Sequence, residues 1–133
     1  MSHTADVDVV RGVYDAVGRG DLGHVVAALA DSVEWIEPHG GPYEGTYHGP
    51  EAVRTNVFAG LGDEFAEFVV EPDRFVTDGG TVVALVTHRG THAETGERFE
   101  APVADVWELE DGEVTSFRHY VGDVGYVRRR TTE

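Results

Sequence analysis

Two polar residues near the end of the chain have side chains suited to proton transfer. Asp105 and His119 interrupt segments that otherwise alternate bulky apolar residues with polar ones. A buried polar group destabilises a fold unless it is paired, so one interpretation is a core hydrogen bond between the two side chains. A carboxyl group that faces an imidazole in one cavity also suits general acid and base chemistry. Both interpretations stay open at this point.

The register of the hairpin that carries this pair decides which residues it faces. If residues 111–112 form a two-residue turn, Asp105 lies opposite Arg118 and neither face of the hairpin is cleanly apolar. If Glu110 joins them in a three-residue turn with a bulge, Asp105 lies opposite Phe117. We favour the second register because it separates an apolar face from a polar one. The apolar face then holds the polar pair together with Val103, Trp107, Leu109, Phe117 and Val121.

A short predicted strand and the loop after it supply further candidates for a binding site. Trp35 and Glu37 belong to the strand 33–37, which Pro38 ends. The following segment, 39–46, is rich in Gly and Pro and is predicted to be a loop. Trp35 is expected to pack in the core. For His39 and Tyr43, a ligand-contacting or lid role stays open beside ordinary loop packing.

A metal site is the main alternative use of the histidines. His88 and His92, with Glu94 nearby, lie four residues apart on a predicted strand. That spacing separates two strand residues by about 13 Å, too far for one ion unless Gly90 makes a bulge. We therefore predict no bound metal and count His88 among the residues that contact a substrate.

Three helices are predicted in the first half of the chain. The first carries an apolar stripe at helical spacing, Val10, Val13, Tyr14 and Val17. The second begins after Asp21 as N-cap and ends near Asp31. The third begins at Pro50 and carries Ala52, Val53, Val57, Phe58 and Leu61.

From Phe65 onward the hydrophobic period changes to two. Four strands are predicted at 65–76, 81–92, 98–109 and 113–126, with hairpin turns at 79–80, 94–96 and 111–112. Helices followed by an antiparallel meander predict an α+β fold with the helices on one face of a curved sheet. A length of 133 residues suits one domain, 1–133, with 127–133 as a flexible tail.

Composition narrows the classes of function. The chain has no Cys, which excludes a thiol nucleophile and a thiolate zinc site. It has 25 acidic residues against 10 basic ones, all of them Arg, so long-range repulsion disfavours nucleic acid and anionic membrane surfaces as partners. The sequence has no secretory signal pattern and no apolar run of about 18 residues. We expect a cytoplasmic protein, adapted to a salt-rich interior.

The predicted elements, in their order along the chain, resemble those of a known protein family. Its parts are Gly20-Asp21-Leu22 between two helices, the strand 33–37, Tyr43-Glu44-Gly45-Thr46-Tyr47-His48-Gly49 and the hairpin that begins Val103-Ala104-Asp105-Val106-Trp107. Over nearly its whole length the chain resembles the SnoaL-like polyketide cyclase and ketosteroid isomerase-like family of the nuclear transport factor 2-like superfamily. The resemblance implies a cone-shaped, cystatin-like α+β barrel, in which a curved antiparallel sheet and three helices enclose a deep apolar pocket. It also implies a homodimer.

The same resemblance implies roles for particular side chains. Glu37 matches the carboxylate that abstracts a proton next to a carbonyl in ketosteroid isomerases. Asp105 matches their aspartic acid that donates a hydrogen bond to the substrate oxygen. Their helix tyrosine aligns with Val13, so Tyr14 is expected on a different side of the helix and that donor is expected to be absent. Polyketide cyclases use a His and an Asp at the two hairpin positions, which are exchanged here as Asp105 and His119.

We therefore predict a cofactor-independent isomerase, cyclase or related lyase that acts on a small apolar carbonyl or cyclic compound. Glu37 or His119 is the predicted base and Asp105 the predicted hydrogen-bond donor. The predicted substrate contacts are Tyr14, Trp35, His39, Tyr43, His88, Trp107 and Phe117. The alternative is a non-catalytic module of the same fold that binds a small ligand or dimerises.

Overall fold

The computed structural model of the chain, which describes residues 3–38, 43–60 and 65–121, packs helices against one six-stranded curved sheet. The helices are α1 (His3–Arg19), α2 (Leu22–Ala27) and α3 (Pro50–Asn56). The strands are β1 (Leu29–Glu37), β2 (Gly45–His48), β3 (Phe65–Asp78), β4 (Thr81–His92), β5 (Arg98–Glu110) and β6 (Glu113–Val121). The α+β class predicted from the sequence is confirmed.

The second helix begins where the sequence indicated but ends earlier, whereas α1 begins at His3, before the predicted stripe that starts at Val10. The Asp21 carboxylate accepts a hydrogen bond of 3.1 Å from the backbone N–H of His24, which makes it the predicted N-cap. The helix was predicted to reach Asp31, yet it ends at Ala27. Pairing with the sheet begins at this point, because the backbone N–H of Val114 donates a hydrogen bond to the carbonyl of Ala28. The residues from Leu29 onward belong to β1.

The third helix is also shorter than predicted. After α3 ends at Asn56, Phe58–Gly60 forms a single 3₁₀ turn instead of a further turn of α-helix. The predicted apolar residues Val53, Val57 and Phe58 are buried as expected. Leu61 lies outside the described residues, as do 122–126 and the predicted tail 127–133.

The sheet has the strand order β2-β1-β6-β5-β4-β3. Each neighbouring pair is antiparallel except β1 and β6, which run parallel. The prediction of a loop over 39–46 is wrong at its end, because Gly45 and Thr46 pair with Glu37 and Ile36. Gly45 has a φ of 139°, which a Gly tolerates at the start of this edge strand.

Neither predicted register of the β5–β6 hairpin is correct. The turn is the two-residue Asp111-Gly112, with φ angles of 52° and 81°. Beyond it, Leu109 pairs with Val114 and Glu108 with Ser116, so Thr115 is an extra residue in β6. The Thr115 hydroxyl donates to the Glu108 carbonyl at 3.2 Å, which compensates for the interrupted ladder.

This bulge places Asp105 directly opposite His119. The observed pairing differs by two residues from the register that we favoured, in which Asp105 faced Phe117. Side chains alternate between faces with a period of two, so the predicted apolar face is unchanged. The bulge therefore brings the polar pair closer together than either predicted register does.

The core lies between the helices and the inner face of the sheet. From α1, the buried hydrophobic residues are Val10, Val13, Tyr14 and Ala16. A smaller aromatic cluster, Phe65 with Phe99 and the partly buried Phe68, extends the core at the far end of β3, β4 and β5. Among the described residues, no helix is both long and apolar enough to cross a membrane.

Candidate active site

A cavity of about 130 Å³ lies within the core. Its walls are mostly aliphatic and aromatic, and its lining residues are Val13, Tyr14, Val17, Leu22, Val25, Trp35, Glu37, Pro38, Tyr43, Val57, Phe58, Phe65, Phe68, Val70, His88, Asp105, Trp107, Phe117, His119 and Val121. Trp35 stacks on Phe117 with ring centroids 4.0 Å apart, and Trp107 meets Trp35 edge-on at 6.0 Å. The pocket is therefore apolar except for one group of polar side chains.

Three strands bring this polar group together. The parallel register that pairs Trp35 with Phe117 brings Glu37 beside His119, and the antiparallel register places Asp105 on the other side of His119. His119 Nε2 lies 2.9 Å from Glu37 Oε1. His119 Nδ1 lies 3.5 Å from Asp105 Oδ1, which is long for a hydrogen bond. The imidazole thus lies between two carboxyl groups.

Further donors hold the outer oxygens of both carboxyl groups. Trp35 Nε1 donates to Glu37 Oε2 at 2.7 Å. The Tyr14 hydroxyl donates to Asp105 Oδ2 at 2.5 Å and accepts from Trp107 Nε1 at 3.0 Å. A chain of polar contacts therefore runs through the cavity wall from Trp35 to Trp107. Such a network fixes the orientation of its members more firmly than isolated pairs do.

The position of Tyr14 corrects an expectation from the sequence. Val13 was aligned with the helix tyrosine of ketosteroid isomerases, and Tyr14 was expected to lie on a different side of α1. Both residues are in fact buried in the core, at 2% and 6% exposure. Adjacent helical positions differ by about 100°, and the buried face of α1 is wide enough to include both. A tyrosine hydroxyl is therefore present in the site.

The charges around His119 determine its protonation. Burial alone lowers the pKa of His119, but the contacts with Asp105 and Glu37 and the negative charges of both outweigh it and raise the pKa to about 10. His119 is therefore an imidazolium at neutral pH. Burial, followed by the negative charge of Asp105, raises the pKa of Tyr14 well above its ordinary value, so Tyr14 stays a neutral donor.

A second imidazole in the cavity has the opposite protonation state. The ring centroids of His88 and His119 are 6.0 Å apart. Burial lowers the pKa of His88 to about 4; the charge of Asp105 opposes this change and that of His119 adds to it. At neutral pH the cavity therefore contains one cationic and one neutral imidazole.

Comparison with known proteins gives the family. The model of the SnoaL-like domain matches residues 10–117. The chain belongs to the SnoaL-like domain family. The family predicted from the sequence is thereby confirmed.

Solved structures and a curated sequence resemble this SnoaL-like domain over nearly its full length. An NTF2-like protein of unknown function from Burkholderia pseudomallei is 32% identical, with a TM-score of 0.88 and 100% of each chain covered. An NTF2-like protein from Burkholderia thailandensis is 30% identical, with a TM-score of 0.89, covering 96% of this chain and 98% of its own. An uncharacterized protein of Mycobacterium tuberculosis is 28% identical over 92% of this chain and 93% of its own length.

The polar groups of this SnoaL-like domain differ in how much of each reaches the cavity. The side chain of His119 is 15% exposed and that of Glu37 is 8%, against 4% for Asp105. The Tyr14 hydroxyl is held by Asp105 Oδ2. A ligand in the cavity would therefore meet His119 and Glu37 first, with Asp105 and Tyr14 supporting them.

Most of the other predicted contact residues also line the cavity. Trp35, Trp107, Phe117, His88 and Tyr43 do so, whereas His39 lies outside the described residues. Sequence reasoning missed several lining residues, among them Val57, Phe58, Phe65, Phe68 and Val70. The alternation of Phe68 and Val70 along β3 was a usable signal.

Tyr43 is held over the cavity by its neighbours. The Tyr47 hydroxyl donates to the Tyr43 carbonyl at 2.6 Å. The Tyr43 ring packs so close to Gly60 that a Cβ there would lie 3.3 Å from it. The phenol ring is therefore fixed against the 3₁₀ turn that follows α3.

The histidines of β4 pack as part of the core. His92 is fully buried and lies with its ring 5.0 Å from that of Phe99 and 5.4 Å from that of Phe65. Over the described ranges, no group of three or more His, Asp and Glu side chains has an arrangement that would hold a metal ion.

Replacing Tyr14 tests the network that supports Asp105. Tyr14→Phe keeps the ring but leaves Asp105 Oδ2 and Trp107 Nε1 without this hydroxyl, so we expect a loss of about 1–3 kcal/mol in the free energy of unfolding. Tyr120→Phe is the matched control, because Tyr120 is 56% exposed. Urea unfolding of the two variants measures the difference. Equal stabilities would contradict a buried network at Tyr14.

Proposed function

We propose that this SnoaL-like domain catalyses cofactor-independent proton transfer on a small apolar carbonyl or cyclic compound. The observation that supports the proposal is the Glu37–His119 pair at the polar end of an apolar cavity. Charges and dipoles fixed in a water-poor pocket act more strongly on a reacting group than they would in water. The match to the SnoaL-like domain supports it further, since this fold suits cofactor-free cyclases and isomerases.

The protonation of His119 narrows the choice of base. The sequence left Glu37 and His119 as alternatives, and a His119 pKa of about 10 favours Glu37, because an imidazolium has no free lone pair to accept a proton. In the proposed reaction, the Glu37 carboxylate takes the proton from the carbon next to the substrate carbonyl. As Glu37 is neutralised by this proton, the Nε2–H of His119, which contacts Glu37 Oε1, shifts to the carbonyl oxygen, on which negative charge develops.

The enolate can react in two ways with the help of Glu37 and His119. In an isomerisation, Glu37 returns the proton to a different carbon of the substrate. In a ring closure, the enolate carbon attacks a second carbonyl and His119 gives its proton to the new alkoxide. The proton held by Glu37 then passes to His119 across their contact, which restores both groups. Both outcomes balance without any cofactor.

Asp105 is assigned a supporting role in this proposal. The resemblance implied that Asp105 donates a hydrogen bond to the substrate. Its Oδ2 instead accepts from Tyr14, and its Oδ1 faces His119 Nδ1. We propose that Asp105 acts as a positioning residue, which keeps His119 protonated and correctly oriented.

The exchange of carbon-bound hydrogen for deuterium tests the proposal directly. Incubation of the protein with cyclohexanone in D₂O, followed by NMR of the protons next to the carbonyl, measures general-base catalysis. Glu37→Gln is expected to lower the catalysed exchange rate by about 100-fold or more. Glu34→Gln is the matched control, since Glu34 lies on the same strand with its side chain exposed.

The outcomes separate the proposal from its alternative. No exchange above the buffer rate in the wild type, with cyclohexanone still bound, would favour the non-catalytic module that binds a small ligand. Equal rates for Glu37→Gln and Glu34→Gln would also contradict the assigned base. The homodimer stays a prediction, to be checked by light scattering, and the cytoplasmic location stays a prediction as well.

A further inference from the structure

We infer that the pocket selects an uncharged compound of a single ring and rejects carboxylates, phosphates and larger polycyclic ketones. The inference rests on the proposed function only for the position of the carbonyl at His119 and Glu37. The size, charge and shape of the cavity support the rest.

The volume of the cavity sets the size of the ligand. About 130 Å³ is close to the volume of an engineered apolar cavity of about 150 Å³ that binds benzene. A cage of several rings requires the wall residues to move apart, and protein cores resist such overpacking. The cavity therefore fits one six-membered ring.

The charges of the cavity exclude anions. No Arg is among the described residues that line it, and the chain contains no Lys. The one cation among these lining residues, His119, already lies between Glu37 and Asp105. A bound carboxylate or phosphate would lose its water without gaining a cationic partner, which is costly. The net charge of −15 on the whole chain adds to this repulsion.

The aromatic walls of the cavity favour an apolar ring. Trp35 and Phe117 stack with an interplanar angle of 27°, and the ring of Trp107 packs against both of them. Aromatic faces of this kind contact a ring over a large area. The oxygen of a cyclic ketone is then the group that meets the polar end of the cavity.

Intrinsic fluorescence gives a direct readout of binding. The chain has two tryptophans, Trp35 and Trp107, and both line the cavity. Titration with cyclohexanone, cyclohexanecarboxylate and 2-adamantanone compares the single-ring ketone with an anion of similar shape and with a rigid cage ketone. We expect cyclohexanone to bind at least about tenfold more tightly than either of the others. The preference over 2-adamantanone is diagnostic, because apolar area alone favours the larger ketone.

A pair of neighbouring variants locates the binding site. Val70→Phe fills the cavity from β3, whereas Val69→Phe places the same ring on the outer face of the strand, where Val69 is 37% exposed. We expect Val70→Phe to lose cyclohexanone binding and Val69→Phe to retain it. Circular dichroism confirms that both variants are folded before the titration.

Each result either supports or overturns the inference. Carboxylate or 2-adamantanone binding as tight as that of cyclohexanone would overturn it, as would equal loss of binding in Val69→Phe and Val70→Phe. These results are independent of the deuterium exchange rate. Selective binding without deuterium exchange would support the inference and contradict only the proposed reaction. Deuterium exchange with unselective binding would support the proposed reaction and overturn the inference.

Discussion

Between pH 6.5 and pH 10 the free energy of unfolding is expected to fall by roughly 4 kcal/mol through the titration of His119 alone. The pKa of His119 is about 10 in the folded protein and 6.5 in an unfolded chain. In this range the folded state therefore binds more protons than the unfolded state, and stability decreases as the pH rises. The contribution is fully present below pH 6.5 and is lost as the pH passes 10.

Urea unfolding at a series of pH values measures this slope. His119→Gln is expected to remove most of the slope, because the titrating group is gone. His24→Gln is the matched control, since the His24 side chain is exposed on α2, and it is expected to keep the slope of the wild type. An identical slope in all three proteins would contradict the assigned protonation of His119.

If His119→Gln does not fold, NMR of the wild-type protein tests the protonation of His119 directly. The ring nitrogens of His119 in the wild-type protein, followed by NMR, are expected to show an imidazolium from pH 6.5 to about pH 9. Titration of His119 near its ordinary pKa would overturn both the predicted slope and the choice of Glu37 as base. The stability and the proposed mechanism therefore depend on the same pair of contacts.

Local sequence patterns predicted most elements of the fold, although not β2 or the ends of α2 and α3. The strands β3 to β6 begin at the predicted residues, and the turns fall at the predicted glycines. Alternation with a period of two also placed Asp105 and His119 on the buried face. This assignment survives an error of two residues in register, because such an error preserves the face of every side chain.

The features that sequence reasoning missed are those set by non-local contacts. Thr115 has nothing in its neighbourhood that indicates a bulge, yet the bulge decides which residue lies opposite Asp105. The parallel pairing of β1 with β6 joins segments about 80 residues apart and brings Glu37 to His119. No periodicity within either segment encodes this partner.

The error at Tyr14 has a different origin. Family alignment compared single positions of α1, whereas burial depends on the width of the helix face that the sheet covers. Tyr14 was already part of the predicted apolar stripe, and this periodicity was the better guide. The hydroxyl that completes the contacts of Asp105 therefore followed from the hydrophobic pattern and not from the alignment.

The second large effect is expected at Gly90, where two strands approach closely. A Cβ at Gly90 would lie 2.2 Å from the backbone oxygen of Glu67 and 2.9 Å from the ring of Phe99. The β3–β4 register shifts beside this position, between Phe65 and Glu67. Any side chain at Gly90 therefore requires β3 to move, because a backbone atom cannot change rotamer to make room.

Gly90→Ala is therefore expected to lower the free energy of unfolding by about 3 kcal/mol or more. Gly18→Ala is the matched control, for which the change in the free energy of unfolding is expected to have the opposite sign. Gly18 is exposed in α1 and a Cβ there would meet nothing within 4 Å, so Ala should raise stability by up to about 1 kcal/mol. Urea unfolding of both variants measures the two changes in the free energy of unfolding.

Ligand binding extends this test from the strand to the pocket. Gly90 pairs with Phe68, whose ring meets that of His88 at 5.2 Å in the cavity wall. Displacement of β3 should therefore weaken cyclohexanone binding in Gly90→Ala and leave it unchanged in Gly18→Ala. A Gly90→Ala protein as stable as the wild type would show that β3 and β4 do not approach so closely. Lost stability with unchanged binding would show that the wall at Phe68 is independent of this contact.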